Sequence, residues 1–335
     1  MKHLIVGAGA TFAEARALGN AVEICPPLIR DFARKTWANY TPHPYLEVYL
    51  RELGYTELAR DPRPLFFELE ENGTTNIERF MEFVWENRNS EFKVSENPPP
   101  GYISGLHIRE PGFKGPEKPA TFWDDLLYNG IGNPLAFHMI QCFFENGVGW
   151  RNLELTKSVA SRFVPGDLIL NLNYDTVFEL ALEQLARPFA YAPGPANVGQ
   201  LLVCKPHGSL NMLTTERSFS FGQPEWLGTP EPSDGSRSFS GFLPPRLNKR
   251  YAQHPIAKTI LDSVRNRRPD QVAMWGVGLT DSDADLIALY SSWARRAGSV
   301  DMINPSAEVA QKAKALLKCE VHHYEDVLQW LARAE

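Results

Sequence analysis

Five groups of residues in this chain have types and spacing suited to chemistry, and each stands where an apolar run ends. The first is Gly7-Ala8-Gly9-Ala10-Thr11, directly after the apolar residues 4–6. Glycines at the end of a strand let backbone N–H groups approach a phosphate with no Cβ in the way. A dehydrogenase fingerprint would place a third glycine where Phe12 stands, and it would need a second strand ending in an acidic residue. Neither is present, so a phosphate turn and a plain strand-to-helix turn both remain open.

The second group is Asn171-Leu172-Asn173-Tyr174-Asp175, at the end of an apolar run over 168–172. Side chains two positions apart on an extended chain point to one side. Asn173 and Asp175 are therefore candidates to face a ligand at a strand's carboxyl end. Capping of the following helix accounts for Asp175 equally well, but it leaves Asn173 unexplained. The third group, Lys205-Pro206-His207-Gly208-Ser209, closes the run 201–205. A histidine titrates near neutral pH and takes up a proton readily, and the adjoining glycine leaves room for a substrate. A lone histidine is more often structural; the strand-end position is what makes His207 a candidate.

The fourth group is Trp275-Gly276-Val277-Gly278-Leu279-Thr280-Asp281-Ser282-Asp283. Gly276 and Gly278 offer a second point of close backbone approach, with Thr280 and Asp281 as polar neighbours. The alternation Asp281, Asp283, Asp285 begins like a calcium loop. It fails at the sixth position, which is Leu286, and at the twelfth, which is Ser292. The fifth group ends the run 300–303 in Asn304. There is no Gly-Lys dipeptide, no H-E-x-x-H and no G-x-S-x-G, so three common catalytic signatures are excluded. His322-His323 has no thiolate or third ligand at useful spacing and reads as structural.

Positioning these groups requires parallel strands. The runs 4–6, 168–172, 201–205, 271–275 and 300–303 are mainly apolar and continuous rather than alternating, with a weaker sixth at 321–324. Helical patterns over 175–186, 283–295 and 307–317 follow three of them, which is the rhythm of an α/β, Rossmann-like parallel sheet. Between the first two strands, residues 26–164 break that rhythm. A helix opened by Pro26-Pro27 and running to Lys35 is expected there, with others over 45–53, 76–87, 134–144 and 153–163. This reads as a large, mainly helical insertion or subdomain, with 97–119 as a loop. Residues 215–248 are rich in Ser, Gly and Pro yet carry Phe219, Phe221, Trp226, Phe239 and Phe242. They read as a long ordered loop or lid. The chemical groups lie near both ends of the chain, so a single discontinuous domain is expected, its core formed by 1–25 and 165–335.

Composition sets the outer limits. The 335 residues are 43% hydrophobic and 22% charged, with 34 basic and 40 acidic residues giving −6. That mixture suits a globular chain and argues against direct nucleic-acid binding, which needs a concentrated basic surface. Cys25, Cys142, Cys204 and Cys319 form no C-x-x-C pair, so neither a disulfide scaffold nor a zinc ribbon is expected, and a reducing cytoplasm is. The start of the chain reads better as a strand entering a glycine turn than as a leader. The longest uncharged run, 126–144, holds Asn129, Asn133, Pro134, His138 and Gln141 and makes a poor membrane span.

Taken in order, the glycine turn at 7–11, Asn-Tyr-Asp at 173–175, His-Gly-Ser at 207–209, the glycine loop at 276–281 and Ile-Asn at 303–304 resemble the sirtuin (SIR2) superfamily. The variants look more like the prokaryotic SIR2-like NAD hydrolases of antiphage defence than like the protein deacylases. The deacylases carry a zinc ribbon between the His-Gly and the later glycine loop, and this chain has no cysteine in that interval. Their run after the first glycines is also replaced, here by Ala13-Glu14-Ala15-Arg16-Ala17-Leu18-Gly19-Asn20.

The resemblance implies NAD+ as substrate, no metal, and hydrolysis to ADP-ribose and nicotinamide by a regulated abortive-infection effector. Asn173, Asp175 and His207 would be the catalytic set. Gly7, Ala8, Gly9, Ala10, Thr11, Gly276, Gly278, Thr280, Asp281 and Asn304 would hold the dinucleotide. Because constitutive activity would deplete the host cell, homo-oligomerisation or an activating partner protein is expected to control it. Two alternatives stand beside this: a non-catalytic NAD or ADP-ribose sensor, and an NAD-dependent deacylase.

Overall fold

The computed structural model describes residues 1–42, 45–87, 126–214, 219–225, 227, 239–243, 245–247, 249 and 251–333. Its centre is a seven-stranded, wholly parallel sheet. The strands are β1 (Lys2–Val6), β2 (Leu168–Asn171), β3 (Phe189–Tyr191), β4 (Leu201–Cys204), β8 (Gln271–Trp275), β9 (Ser299–Ile303) and β10 (Glu320–Tyr324). The numbers β5 (Gly208–Thr214), β6 (Phe219–Phe221) and β7 (Phe239–Phe242) belong to a separate three-stranded antiparallel sheet with β5 at its centre.

In space the large sheet runs β10-β9-β8-β1-β2-β4-β3. The chain leaves β1 towards β2 on one side and later returns to place β8 on the other. The strand order thus reverses at β1, and open parallel sheets bind ligands at the carboxyl ends beside such a reversal.

The continuous apolar runs become strands because helices cover both faces. On one face Leu4, Val6, Ile169 and Val203 pack with Ala10 of α1 (Ala8–Ala17), Val159 of α7 (Glu154–Ala160) and Phe178 of α8 (Val177–Gln184). On the other, Ile5, Leu170, Met274 and Met302 join a larger cluster. That cluster holds Trp37, Leu286 and Trp293 of α10 (Ala284–Ala297), and Ala310 of α11 (Ala307–Leu317). It also takes in α2 (Phe32–Thr36), α3 (Tyr45–Glu52), α4 (Arg63–Glu71) and α5 (Ile77–Glu86); the Phe66 and Phe80 rings pack on Trp37, tilted and edge to face, and Tyr49 packs in turn on Phe66 and Phe80. Each such fully buried ring contributes about 1.5–3 kcal/mol. Among the described residues the remaining α-helices are α6 (Asn133–Phe143), α9 (Pro255–Asp262) and α12 (Val327–Leu331). Among the described residues no helix is long and apolar enough to cross a membrane.

Several expectations shift. The helix expected from Pro26 begins only at Phe32, because the Asp31 side chain accepts from Leu28 N–H at 2.7 Å and holds a turn there. The stretch 215–248, read as a loop, contains the strands β6 and β7, and the β5 strand leading into it was also not foreseen. Its aromatic residues are part of the reason: Phe221 stacks on Tyr191 of β3 with ring centres 4.2 Å apart. Residues 97–119 and Trp226 lie outside the described residues.

Candidate active site at the sheet's carboxyl edge

The glycine turns after β1 and β8 pack directly against each other. Gly9 N–H donates to Gly276 O at 3.0 Å, and Gly7 N–H donates to Trp275 O at 2.9 Å. A Cβ on Gly7 would lie 2.6 Å from Gly276 O, and one on Gly276, at φ +66°, would lie 2.1 Å from Ala10 N. The room these glycines create is thus filled by backbone, which differs from the phosphate approach their spacing suggested. Ala8 and Gly278 are the exposed points of the two turns, and a Cβ on Gly278 would meet open space.

Asn173 joins β2 to the first turn. Its Nδ2 donates to Gly7 O at 3.1 Å and to Thr11 Oγ1 at 2.9 Å. A carbonyl oxygen only accepts, so the amide orientation is fixed and both Nδ2 hydrogens are used. Oδ1 is the end available to a ligand. The Thr11 hydroxyl in turn donates to Asp175 Oδ2 at 2.8 Å, and Val177 N–H donates to Asp175 Oδ1 at 3.1 Å. Asp175 therefore caps α8 and also faces the glycine turn.

Beneath this layer lies a buried charge pair that the sequence reading missed. Lys205 and Glu179 meet at 3.0 Å with both side chains fully shielded from solvent. Lys205 Nζ also donates to Asp175 O, and Asn171 Nδ2 donates to both Glu179 oxygens. Burial pushes the Asp175 and Glu179 carboxyls up, and the Lys205 ammonium opposes it in both. The available signal was Glu179 inside the apolar helical run 177–182.

His207 sits beyond the end of β4 with its ring almost wholly buried. Its Nδ1 lies 2.7 Å from Leu172 O, and its Nε2 makes a short contact with the Tyr251 hydroxyl. The two rings stack with centres 5.6 Å apart and planes 11° apart. Tyr251 donates to Asp283 Oδ1 at 2.7 Å, which also accepts from Lys249 at 2.9 Å. Lys249 reaches Glu78 of α5 at 2.8 Å. Burial alone would raise the Asp283 carboxyl, but Lys249 and His207 outweigh it and hold it well below the usual carboxylate range. Burial would likewise lower Lys249, and its two carboxylate partners raise it instead.

No protein-family model matches the chain, and no curated protein matches it.

The remaining predicted residues divide. Thr280 Oγ1 is tied to Ser282 Oγ at 2.7 Å and to Asp283 Oδ2 at 3.1 Å, beside the Asp283 end of the relay. Asp281 opens the short 3₁₀ turn Asp281–Asp283. Asn304 Nδ2 donates to Val277 O at 3.1 Å, and its Oδ1 accepts from Ser306 N–H at 2.9 Å. It braces the glycine loop. Tyr251, Lys249 and Glu78 were not foreseen, since each comes from an element with no local motif. A cavity of about 530 Å³ opens at the opposite, amino ends of β1, β8 and β9, lined by Lys2, Arg162, Phe163 and Trp330. It shares no residue with this site.

Proposed function

We propose that the protein is an NAD+ glycohydrolase of the SIR2-like type, cleaving the nicotinamide–ribose bond to give ADP-ribose and nicotinamide. One observation carries the reading: the Asn173 carboxamide bridges directly to the Gly7 carbonyl and the Thr11 hydroxyl. The amide suited to a ribose and the first glycine turn are thus one hydrogen-bonded unit, beside the strand-order reversal.

In this reading the diphosphate lies near the exposed Ala8 and Gly278. Breaking the C1′–N bond leaves its electron pair on nicotinamide, which departs neutral and needs no acid. Positive, oxocarbenium-like charge builds on the ribose, as in glycoside hydrolysis. The acceptor end of Asn173 faces that charge and orients the attacking water, a fixed dipole of the kind that lowers such barriers. Water oxygen bonds to C1′, and its proton passes to His207, a general-base contribution of about 10²–10⁴-fold. Incubation with NAD+ tests this: matched release of nicotinamide and ADP-ribose is expected, and unchanged NAD+ under every condition contradicts it.

A second reading, a non-catalytic sensor of NAD or ADP-ribose, is favoured by one feature. Both ring nitrogens of His207 are already hydrogen-bonded within the protein. Saturable NAD+ binding without products would select it.

A further inference from the structure

We propose that the Tyr251 hydroxyl occupies the place on His207 that a substrate hydroxyl or water must take, so that this contact latches the site in an inactive state. An imidazole has two ring nitrogens with which to exchange protons. Nδ1 faces the main-chain carbonyl of Leu172 at the end of β2, an acceptor only, and so carries a hydrogen. Nε2 is the nitrogen left for proton transfer, and the Tyr251 hydroxyl covers it; the single Tyr251 hydrogen serves either Nε2 or Asp283, and Nε2 is closed to a substrate in both arrangements. A general base must come within hydrogen-bonding reach of the proton it takes, about 2.6–3.2 Å between heavy atoms. His207 has no third nitrogen to offer.

The latch is held from behind by charges on separate elements. Asp283, just before α10, accepts from both Tyr251 and Lys249, and Glu78 on α5 holds Lys249. Tyr174 packs near the His207 ring as well, with its hydroxyl on Leu243 O at 2.6 Å. Burial, with Asp283 beside it, pushes the Tyr251 phenol well above its ordinary value, so the group stays a neutral hydroxyl. Only the Nε2–Tyr251 contact has to open, because Asp283 keeps Lys249 as a partner when Tyr251 leaves.

The turnover arm of the test rests on the NAD+ hydrolase reading; the modification arm does not. Diethyl pyrocarbonate acylates accessible, unprotonated imidazole nitrogens, and peptide mass mapping reads each histidine separately. Carbethoxylation of His207 is expected to be slow in the full-length protein and about tenfold faster in Tyr251→Phe, the equivalent of one hydrogen bond released. The partly exposed His322 serves as the internal control and should react equally in both. Asp283→Asn, which loosens the anchor but keeps the hydroxyl, should also accelerate His207 and stands in should Tyr251→Phe not fold. Basal NAD+ turnover should rise in Tyr251→Phe. An unchanged His207 rate in both variants overturns the latch, as does faster modification accompanied by loss of an NAD+ turnover that the wild type possesses. Faster modification with no NAD+ turnover in wild type or variant supports the latch and contradicts the hydrolase reading.

Discussion

The Thr11 hydroxyl donates to the Asp175 carboxylate at 2.8 Å across 164 positions of sequence, while accepting from Asn173 at 2.9 Å. Thr11 is buried in the first turns of α1, and this hydroxyl clamps the ends of β1 and β2 together. Thr11→Val keeps the shape and removes both hydrogen bonds. It should cost about 1–3 kcal/mol, since buried partners lose their mates. Urea unfolding measures this, and an unchanged midpoint would contradict the clamp.

The Lys205–Glu179 pair, fully shielded at 3.0 Å, supports the same corner from below. Lys205→Met strands a buried carboxylate and should cost about 3–5 kcal/mol. Adding Glu179→Gln neutralises that charge while leaving Asn171 a partner, so the double variant should recover much of the loss. A double-mutant cycle by chemical denaturation checks it; simple additivity of the two losses would mean the pair is not coupled.

Two glycines of one loop should behave oppositely. Gly276→Ala forces a Cβ to within 2.1 Å of Ala10 N at a positive φ, so a loss exceeding about 2 kcal/mol is expected from left-handed strain and overlap together. Gly278→Ala meets open space and should change stability by no more than about 0.5 kcal/mol. Thermal melting of both variants decides whether the glycine contact is as tight as described.

Stability should also carry a pH signature from Glu70. Burial raises its carboxyl from 4.5 to about 8, although it accepts from the backbone N–H groups of Ala33 and Arg34. A carboxyl favoured in its protonated form contributes most below 4.5 and loses that contribution as pH rises through about 8. Glu70→Gln keeps an acceptor for Ala33 and removes the titration. The stability of wild type relative to this variant should therefore decline across that window, measured as urea midpoints on either side of it. A difference independent of pH would contradict the raised carboxyl.

Much of the sheet was legible because strands buried on both faces read as unbroken apolar runs. β1, β2, β4 and β8 come nearest to this, and β9 shows it with Asp301 as an interruption. β3 did not, since Phe189-Ala190-Tyr191 is too short to display a period. β5 was not foreseen although Leu210 and Met212 alternate with polar neighbours.

The site divides in the same way. Asn173, Asp175 and His207 announce themselves as polar residues at the ends of apolar strands. Glu78 comes from one part of the chain and Lys249 and Tyr251 from another, and only folding brings Lys249 and Tyr251 onto Asp283, with Glu78 holding Lys249. The close contact of the two glycine turns was not legible, since the backbone around Gly276 that fills the space beside Gly7 and Gly9 lies about 270 positions away in sequence.

The central claim is that Asn173 and His207 serve NAD+ cleavage at this corner. Product chromatography of NAD+ incubated with wild type, Asn173→Ala and His207→Ala, alongside binding of a non-cleavable NAD+ analogue, tests it most directly. Expected are ADP-ribose and nicotinamide from the wild type, a loss of roughly 10²-fold or more in both variants, and retained analogue binding in His207→Ala. Full turnover in both variants would contradict it.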